Sequence, residues 1–485
     1  MPWLLLAVLV VQAGLALRLV WSNTAFEDEA LYLWAGHLEW AHWLHGTPLP
    51  DFPSYFSGAP VIYPPLGALA DSAGGLAGAR VLSLCFMLGA TVLLWATTSR
   101  LYGRNAAFLA AGLWAILGPT QRLGAFATYD AMALFLVALA AWCVTRGQQP
   151  RGATRWMIAG AGALVLANAT KYASVIFDPA VAGLAFLCGF PPGGKIAWHR
   201  GGCLLALVAI ADIALLLAAR GHYIAGVEQT TLARPSAGTR VSVVLRSAWD
   251  LTGVVVVLAF LGVAVGIKAE KYPASRWLLA LLAVTALLVP AAQARIHTYN
   301  GLDKHVDFGA WFAAIAAGYA ADRVARTLRS HSAPLAAIAT GALFLLVMIA
   351  GSIQSAQLFG WPGAASVMPA ARELTSHGGR FLADDDPVFE YYLPGTSWRQ
   401  WSSVYSITRP SGFRQATSGT PGPYIALINQ HYFTVIILGF TDRPPLDAAI
   451  ARYLSADHDY RFAGAFRYSN PGVAGGFRIW AYRGA

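Results

Sequence analysis

A series of apolar runs, each approaching or reaching the roughly 20 residues needed to cross a bilayer's hydrocarbon layer, constrains this chain more than any other feature. Spans are predicted at 3–20, 77–98, 105–118, 128–145, 155–170, 172–189, 201–219, 248–266, 277–291, 306–321 and 332–352. A large soluble core is also rich in leucine and alanine, but surface helices and turns break its apolar stretches into short pieces. Hydrophobic residues make up 57% of the 485 and charged ones 12%, roughly half the charge of a soluble domain. The sequence therefore predicts a polytopic α-helical membrane protein with about 11 transmembrane helices. The first run has no basic segment before it and no small-residue cleavage site before Trp21, so it reads as a helix rather than a signal peptide.

Charge sets the expected orientation. With the N-terminus cytoplasmic, the inner loops hold Arg100 and Arg104; Arg146, Arg151 and Arg155; Lys195 and Arg200; Lys268, Lys271 and Arg276; and Arg323, Arg326 and Arg329. The loop 22–75 has no lysine or arginine and six carboxylates, Glu27, Asp28, Glu29, Glu39, Asp51 and Asp71. The positive-inside rule puts that loop outside, and an odd number of crossings puts the segment after 352 there too. The net charge of +10 is spread over short loops without a Lys/Arg stripe, so orientation explains it and nucleic acid is not an expected partner. Richness in Ala, Gly and Arg suggests a GC-rich bacterium, and hence the bacterial cytoplasmic membrane.

Two domains are expected: a transmembrane domain over 1–352, including the long first extracytoplasmic loop 22–75, and an extracytoplasmic α/β domain over 353–485. In the first loop Leu31, Trp34, Leu38 and Ala41 recur at helical spacing, predicting a helix lying in the membrane interface. Tyr63-Pro64-Pro65-Leu66 reads as a rigid turn back toward the membrane. The last segment contains strand-like stretches at 424–428, 433–438 and 476–482 and a short helix at 446–454. Cys85, Cys143, Cys188 and Cys203 all lie in apolar segments, so no disulfide framework is indicated.

Several residues carry chemistry. Glu27, Asp28 and Glu29 follow the first span closely; the plain reading is a solvated charge run, the functional one a carboxylate in a surface cavity that takes a hydroxyl proton. Asp130 opens the fourth span, either as a charge favoured by the helix dipole or as a paired, cavity-facing acid. Lys171 divides two apolar stretches, to snorkel to headgroups or to hold a phosphate. The outer segment from Arg295 through Lys304 and His305 mixes cations and histidines suited to an anionic headgroup, and Arg80, Arg122 and Arg220 lie near outer helix ends. His37, His42 and His45 with Glu39 lack a structural zinc spacing. Asp384-Asp385-Asp386 before a proline reads as a solvated turn. No P-loop or Rossmann glycine fingerprint occurs in a strand-turn-helix context, which disfavours a nucleotide-driven reaction.

In these motifs the chain resembles the polytopic glycosyltransferases of the GT-C fold, in the broad group of protein O-mannosyltransferases and bacterial aminoarabinose transferases. The resemblance rests on Phe26-Glu27-Asp28-Glu29-Ala30-Leu31-Tyr32 after the first span, Tyr63-Pro64-Pro65-Leu66, Gly78-Ala79-Arg80, Thr128-Tyr129-Asp130, Lys171 and Asp303-Lys304-His305. It implies an enzyme that moves a sugar from a polyprenyl-phosphate carrier to a hydroxyl of a glycan, lipid or protein acceptor. It also implies Asp28 as general base, Glu29 as its companion and Asp130 as the second acidic position; Arg80, Lys171, Arg295, Lys304, His305 and Tyr63 are expected toward the donor phosphate or its lipid. Tyr63 stands where lipid A aminoarabinose transferases have a lysine before the two prolines, a departure that weakens a lipid A assignment. A single base opposite the leaving group implies inversion. Metal dependence stays open: a divalent ion could bridge acid and phosphate, but the sequence offers no compelling ligand set.

The competing reading is a transporter or flippase of a lipid-linked saccharide, expected to show mid-membrane polar residues and internal pseudo-symmetry. Neither is evident in the sequence. A third, a non-catalytic protein whose outer domain binds glycan or a partner, would have Asp28 facing bulk water.

Overall fold

The computed structural model describes residues 2–147, 153–188, 195–219, 221–234, 236–409, 411–417 and 419–484; Arg151 and Arg220 lie outside them. In chain order the helices begin with α1 (Pro2–Val20), α2 (Glu27–His45), α3 (Tyr63–Tyr102), α4 (Arg104–Ala115), α5 (Gly118–Leu123), α6 (Tyr129–Arg146) and α7 (Ala153–Thr170). They continue with α8 (Asp178–Leu187), α9 (Lys195–Ala219), α10 (Gly221–Val227), α11 (Val241–Ala269), α12 (Pro273–Thr285), α13 (Leu288–Arg295), α14 (Leu302–His331) and α15 (Ala333–Leu358). The last four are α16 (Met368–Thr375), α17 (Asp386–Tyr392), α18 (Gly422–Asn429) and α19 (Pro444–Ala456). The chain divides into two compact units, Met1–Val20 with Asp51–Leu358, and Trp21–Pro50 with Phe359–Ala485. The first half of the expected outer loop thus belongs with the C-terminal unit.

Among the described residues, six helices are long and apolar enough to cross a membrane, or seven if α12 and α13, bent by 42°, form one span. The other expected crossings are helical but take different forms. The stretch 105–118 is α4, followed by a new start at Gly118-Pro119; the described residues of 172–189 form a 3-10 turn (Tyr172–Phe177) and the 10-residue α8. Helix α14 runs for 30 residues, and every side chain from Val306 to Ala320 is buried. Protein rather than lipid surrounds that stretch, so apolarity is not what places it. Close backbone approach is: a Cβ on Gly318 would sit 2.4 Å from the Ala106 carbonyl oxygen of α4.

Pro64 and Pro65 do not make the expected rigid turn. They occupy the first positions of α3, where a missing N–H breaks no helical bond. The break falls later, at Gly74 and Gly75, the latter at φ 61° and ψ −162°.

In the second unit a five-stranded mixed sheet has the order β2 (Trp401–Ser403), β1 (Phe381–Ala383), β5 (Val435–Leu438), β7 (Gly476–Tyr482), β6 (Tyr460–Arg467). Strand β1 is parallel to β2 and β5, while β7 is antiparallel to β5 and β6. A short hairpin, β3 (Ser406–Thr408) and β4 (Arg414–Ala416), lies outside the sheet. Leu382, Ile436 and Leu438 from the sheet pack with Ile450 and Leu454 of α19 to form its core. The stretch 424–428, expected as a strand, is α18. Five apolar residues carry too little periodicity to separate the two states, and Pro421-Gly422-Pro423 starts a helix.

Helix α2 buries Glu29, Ala30, Leu33, Gly36 and Glu39, a face different from the apolar stripe expected to meet the interface; of that stripe only Trp34 is buried. The chain leading into it is fixed within the same unit. Asn23 donates to the Phe359 and Trp361 carbonyls at 3.1 and 2.9 Å, and the Trp361 indole N–H donates to Thr24 O at 3.1 Å.

Candidate functional site

Helix α7 stops at Thr170, and Lys171 adopts an extended conformation (φ −148°, ψ 110°) before the 3-10 turn. A strap at Ser57–Ala59 holds this junction on both sides. Tyr172 N–H donates to Ser57 O at 2.9 Å and Ala59 N–H to Ala169 O at 2.8 Å. Gly58 passes so close that a Cβ there would lie 1.9 Å from the Thr170 carbonyl oxygen. Only glycine allows this approach.

So held, Lys171 reaches the N-terminus of α6. Its Nζ lies 2.5 Å from Asp130 Oδ1, with the two side chains 5% and 0% exposed. The Thr128 hydroxyl donates to the other carboxylate oxygen at 2.8 Å, and the Lys171 ammonium stands 4.8 Å from the Tyr129 ring centre. His305, in the first turn of α14, brings Nε2 to 3.8 Å from Asp130 Oδ1, while its Nδ1 is 3.2 Å from the Gln293 side-chain nitrogen. The charge of Lys304 also acts on Asp130, and that of Arg234 on His305. Arg122 is paired with Asp303 and stacks 4.7 Å from the Phe126 ring centre.

Two lysines thus act on one carboxylate, and Arg234 acts on the histidine next to it. Beside them is a cavity of about 310 Å³. Lys171, Arg234, Gln293 and His305 line its polar part; Ile176, Phe177, Val289, Ile296 and Phe308 line its apolar part. An amphipathic anion matches such walls: charge-assisted hydrogen bonds for its head, hydrocarbon contact for its tail.

The other expected residues lie elsewhere. Tyr63 is buried at the start of α3, and Arg80 is buried with its guanidinium donating to Val20 O at 2.7 Å, closing the end of α1. Arg295 is exposed: Val289, Ala292, Gln293 and Ile296 take the cavity face of α13 and the turn after it, leaving Arg295 on another face. Asp28 and Glu29 belong to the second unit, in the first turn of α2. Glu29 is fully buried and accepts the Phe26 N–H at 3.0 Å, the backward half of a capping box. Asp28 is half-buried.

Sequence reasoning missed Gln293 and Arg234 at the cavity, and neither has a distinguishing signal in sequence. It also passed over Asp178 and Asp212, whose carboxylates both accept from the Asn168 amide at 2.9 Å, and Asp307, which accepts the Thr120 hydroxyl at 2.8 Å. A carboxylate inside an apolar run was the available signal for all three.

Asp384-Asp385-Asp386 is not a solvated turn. Asp384 and Asp386 are buried, and Arg414 lies 3.3 Å from Asp386 and 2.8 Å from Glu390. Asp384 accepts the Thr441 N–H and hydroxyl at 3.0 and 2.8 Å. Burial, with the charge of Asp384 beside it, pushes the Asp447 carboxyl up to about 8. Among the described residues no group of three or more His, Cys, Asp or Glu is placed to hold a metal ion.

Residues 69–217 match the family model of dolichyl-phosphate-mannose-protein mannosyltransferase. The chain aligns with the crystal structure of ArnT from Cupriavidus metallidurans bound to undecaprenyl phosphate at a TM-score of 0.64 and 13% identity, over 98% of this chain and 97% of that one. The fold is that of the GT-C glycosyltransferases. Two other GT-C structures extend the likeness. The oligosaccharyltransferase AglB from Archaeoglobus fulgidus, in complex with an inhibitory peptide and a dolichol-phosphate, matches with a TM-score of 0.58 and 12% identity, over 96% of this chain and 74% of that one. The arabinofuranosyltransferase AftD from Mycobacteria matches with a TM-score of 0.55 and 14% identity, over 98% of this chain and 40% of that one. No curated protein sequence matches the chain.

Proposed function

We propose that this GT-C chain is an inverting glycosyltransferase of the bacterial cytoplasmic membrane, moving a sugar from a polyprenyl-phosphate carrier to a hydroxyl of a glycan, lipid or protein on the outer face. The observation that carries the reading is the Lys171–Asp130 pair, with Lys304 acting on the same carboxylate and Arg234 on the neighbouring His305, beside a cavity with one polar and one apolar wall. The undecaprenyl phosphate of ArnT and the dolichol-phosphate of AglB have the same two-part chemistry. In this reading the topology has eleven crossings, and residues 353–485 lie outside.

In the proposed step the acceptor hydroxyl gives its proton to Asp28 as its oxygen bonds to the anomeric carbon, and the bond from that carbon to the phosphate oxygen breaks. The departing phosphate is a weak base, so it needs positive charge more than a proton. Lys171, Lys304 and Arg234 supply that charge, and Asp130 holds Lys171 in place. Glu29 caps the helix through the Phe26 N–H, and the base role in this reading is that of Asp28.

Purified protein incubated with a panel of polyprenyl-phosphate sugars and candidate acceptors should release lipid phosphate and form a glycoside of inverted configuration. Asp28→Asn should fold normally and abolish transfer. Retained configuration would overturn the single-base mechanism, and near-normal turnover of Asp28→Asn would remove Asp28 from it.

A further inference from the structure

The bundle has a second polar cavity, at the other end of α6 from Asp130. The Arg100 guanidinium marks that end: its Nε donates to Thr145 O at 3.0 Å. Thr145 lies about 22 Å along the helix from Asp130, at 1.5 Å per residue. The cavity, of about 380 Å³, is more polar than apolar and lies among the ends of α3, α8 and α11, the start of α12 and the last third of α14.

Its charged groups differ in how far they are engaged. Arg323 lies 3.3 Å from Glu270 and Arg326 is paired with Asp322, while the Tyr319 hydroxyl donates to Glu270 at 2.7 Å. Arg100 makes its one hydrogen bond through Nε, so the outer nitrogens of its guanidinium have no partner among the described residues. The Tyr102 hydroxyl is buried and also has no hydrogen-bond partner there. Ser275 lines the same space from the first turn of α12, a 13-residue helix whose N-terminal end favours an anion.

Leaving a buried hydroxyl unbonded carries a desolvation penalty. A ligand oxygen accepting from Tyr102 and from the Arg100 fork would remove that penalty. Leu101, Leu187 and Leu278 complete the wall with hydrocarbon. The three unfilled donors ask for a phosphate, and the leucines beside them ask for a lipid chain. Basic pockets between transmembrane helices take anionic lipid headgroups in this way.

We infer that the cavity lined by Arg100, Tyr102 and Ser275 binds the phosphodiester headgroup of an anionic phospholipid, at the membrane face opposite the proposed donor site. It is a second lipid site, separate from the cluster at Asp130, and it does not depend on the glycosyltransferase reading.

The test is native mass spectrometry of the full-length protein in detergent, titrated with cardiolipin, phosphatidylglycerol or phosphatidylcholine. Wild-type protein should retain one anionic lipid at least tenfold more tightly than phosphatidylcholine. Arg100→Gln and Tyr102→Phe should each weaken that retention about tenfold, with unchanged melting temperature. Tyr102→Phe removes one oxygen and no packing volume, so it reads the headgroup contact even if Arg100→Gln folds poorly. Equal retention of phosphatidylcholine would overturn the proposal, as would unchanged binding in Tyr102→Phe. Displacement of the lipid by millimolar inorganic phosphate would overturn the lipid assignment in favour of free phosphate.

Discussion

Replacing Lys171 by methionine keeps the aliphatic stem and removes the ammonium that sits 2.5 Å from Asp130. The carboxylate left behind is fully buried; its nearest remaining partners are the Thr128 hydroxyl at 2.8 Å and the His305 ring at 3.8 Å. Removing one member of a buried ion pair costs about 3–5 kcal/mol, because the other charge stays desolvated. Lys304 still acts on Asp130, so the expected loss is at the lower end, about 3 kcal/mol, or roughly a hundredfold in the folding equilibrium. Adding Asp130→Asn removes the stranded charge, and the double variant should recover at least half of that loss. Unfolding in mixed micelles, followed by tryptophan fluorescence, measures both singles and the double. If the two single effects add to the double within about 0.5 kcal/mol, the pair is uncoupled and the charge argument fails. All three variants should lose sugar transfer.

Gly58→Ala puts a methyl 1.9 Å from the Thr170 carbonyl, so the strap must move away from Lys171; transfer should fall at least tenfold, and wild-type turnover would show that the strap does not set the site. Glu29→Ala removes the acceptor for the Phe26 N–H, with a loss of about 0.5–2 kcal/mol as for other helix caps. Its transfer rate should persist where that of Asp28→Asn vanishes, and equal loss in both would undo the division of roles. The Asp447 carboxyl, raised to about 8 in the folded protein against about 3.9 unfolded, takes up a proton on folding throughout that window. The folded state therefore binds more protons there, and stability falls as pH rises from about 4 to about 8. Asp442, raised to about 6 by burial and by Asp384, adds to the slope in the lower part. Melting temperatures of the full chain between pH 5 and pH 8.5 should decline, and decline less in Asp447→Asn; identical profiles would refute the assignment.

The sequence by itself determined that this is a membrane-embedded helical chain, because hydrocarbon admits only long apolar helices and that demand is written in linear runs. It also picked out Asp130, Lys171, Lys304 and His305, since charges beside apolar spans are conspicuous in a chain that is only 12% charged. Strand β7 was legible because seven residues between turn-formers bound it, whereas α18 was misread from five apolar residues that fit either period. Tertiary structure alone decided which charges meet. Residues 130, 171 and 305 come together because Gly58 lets a strap press Lys171 toward α6, a contact with no local signature. It also divided the predicted group, giving Arg80 to the end of α1, leaving Arg295 exposed and setting Glu29 as a cap. A residue's type and spacing state what chemistry it can perform; its partners are fixed by packing between segments that are distant in the chain, which periodicity does not encode.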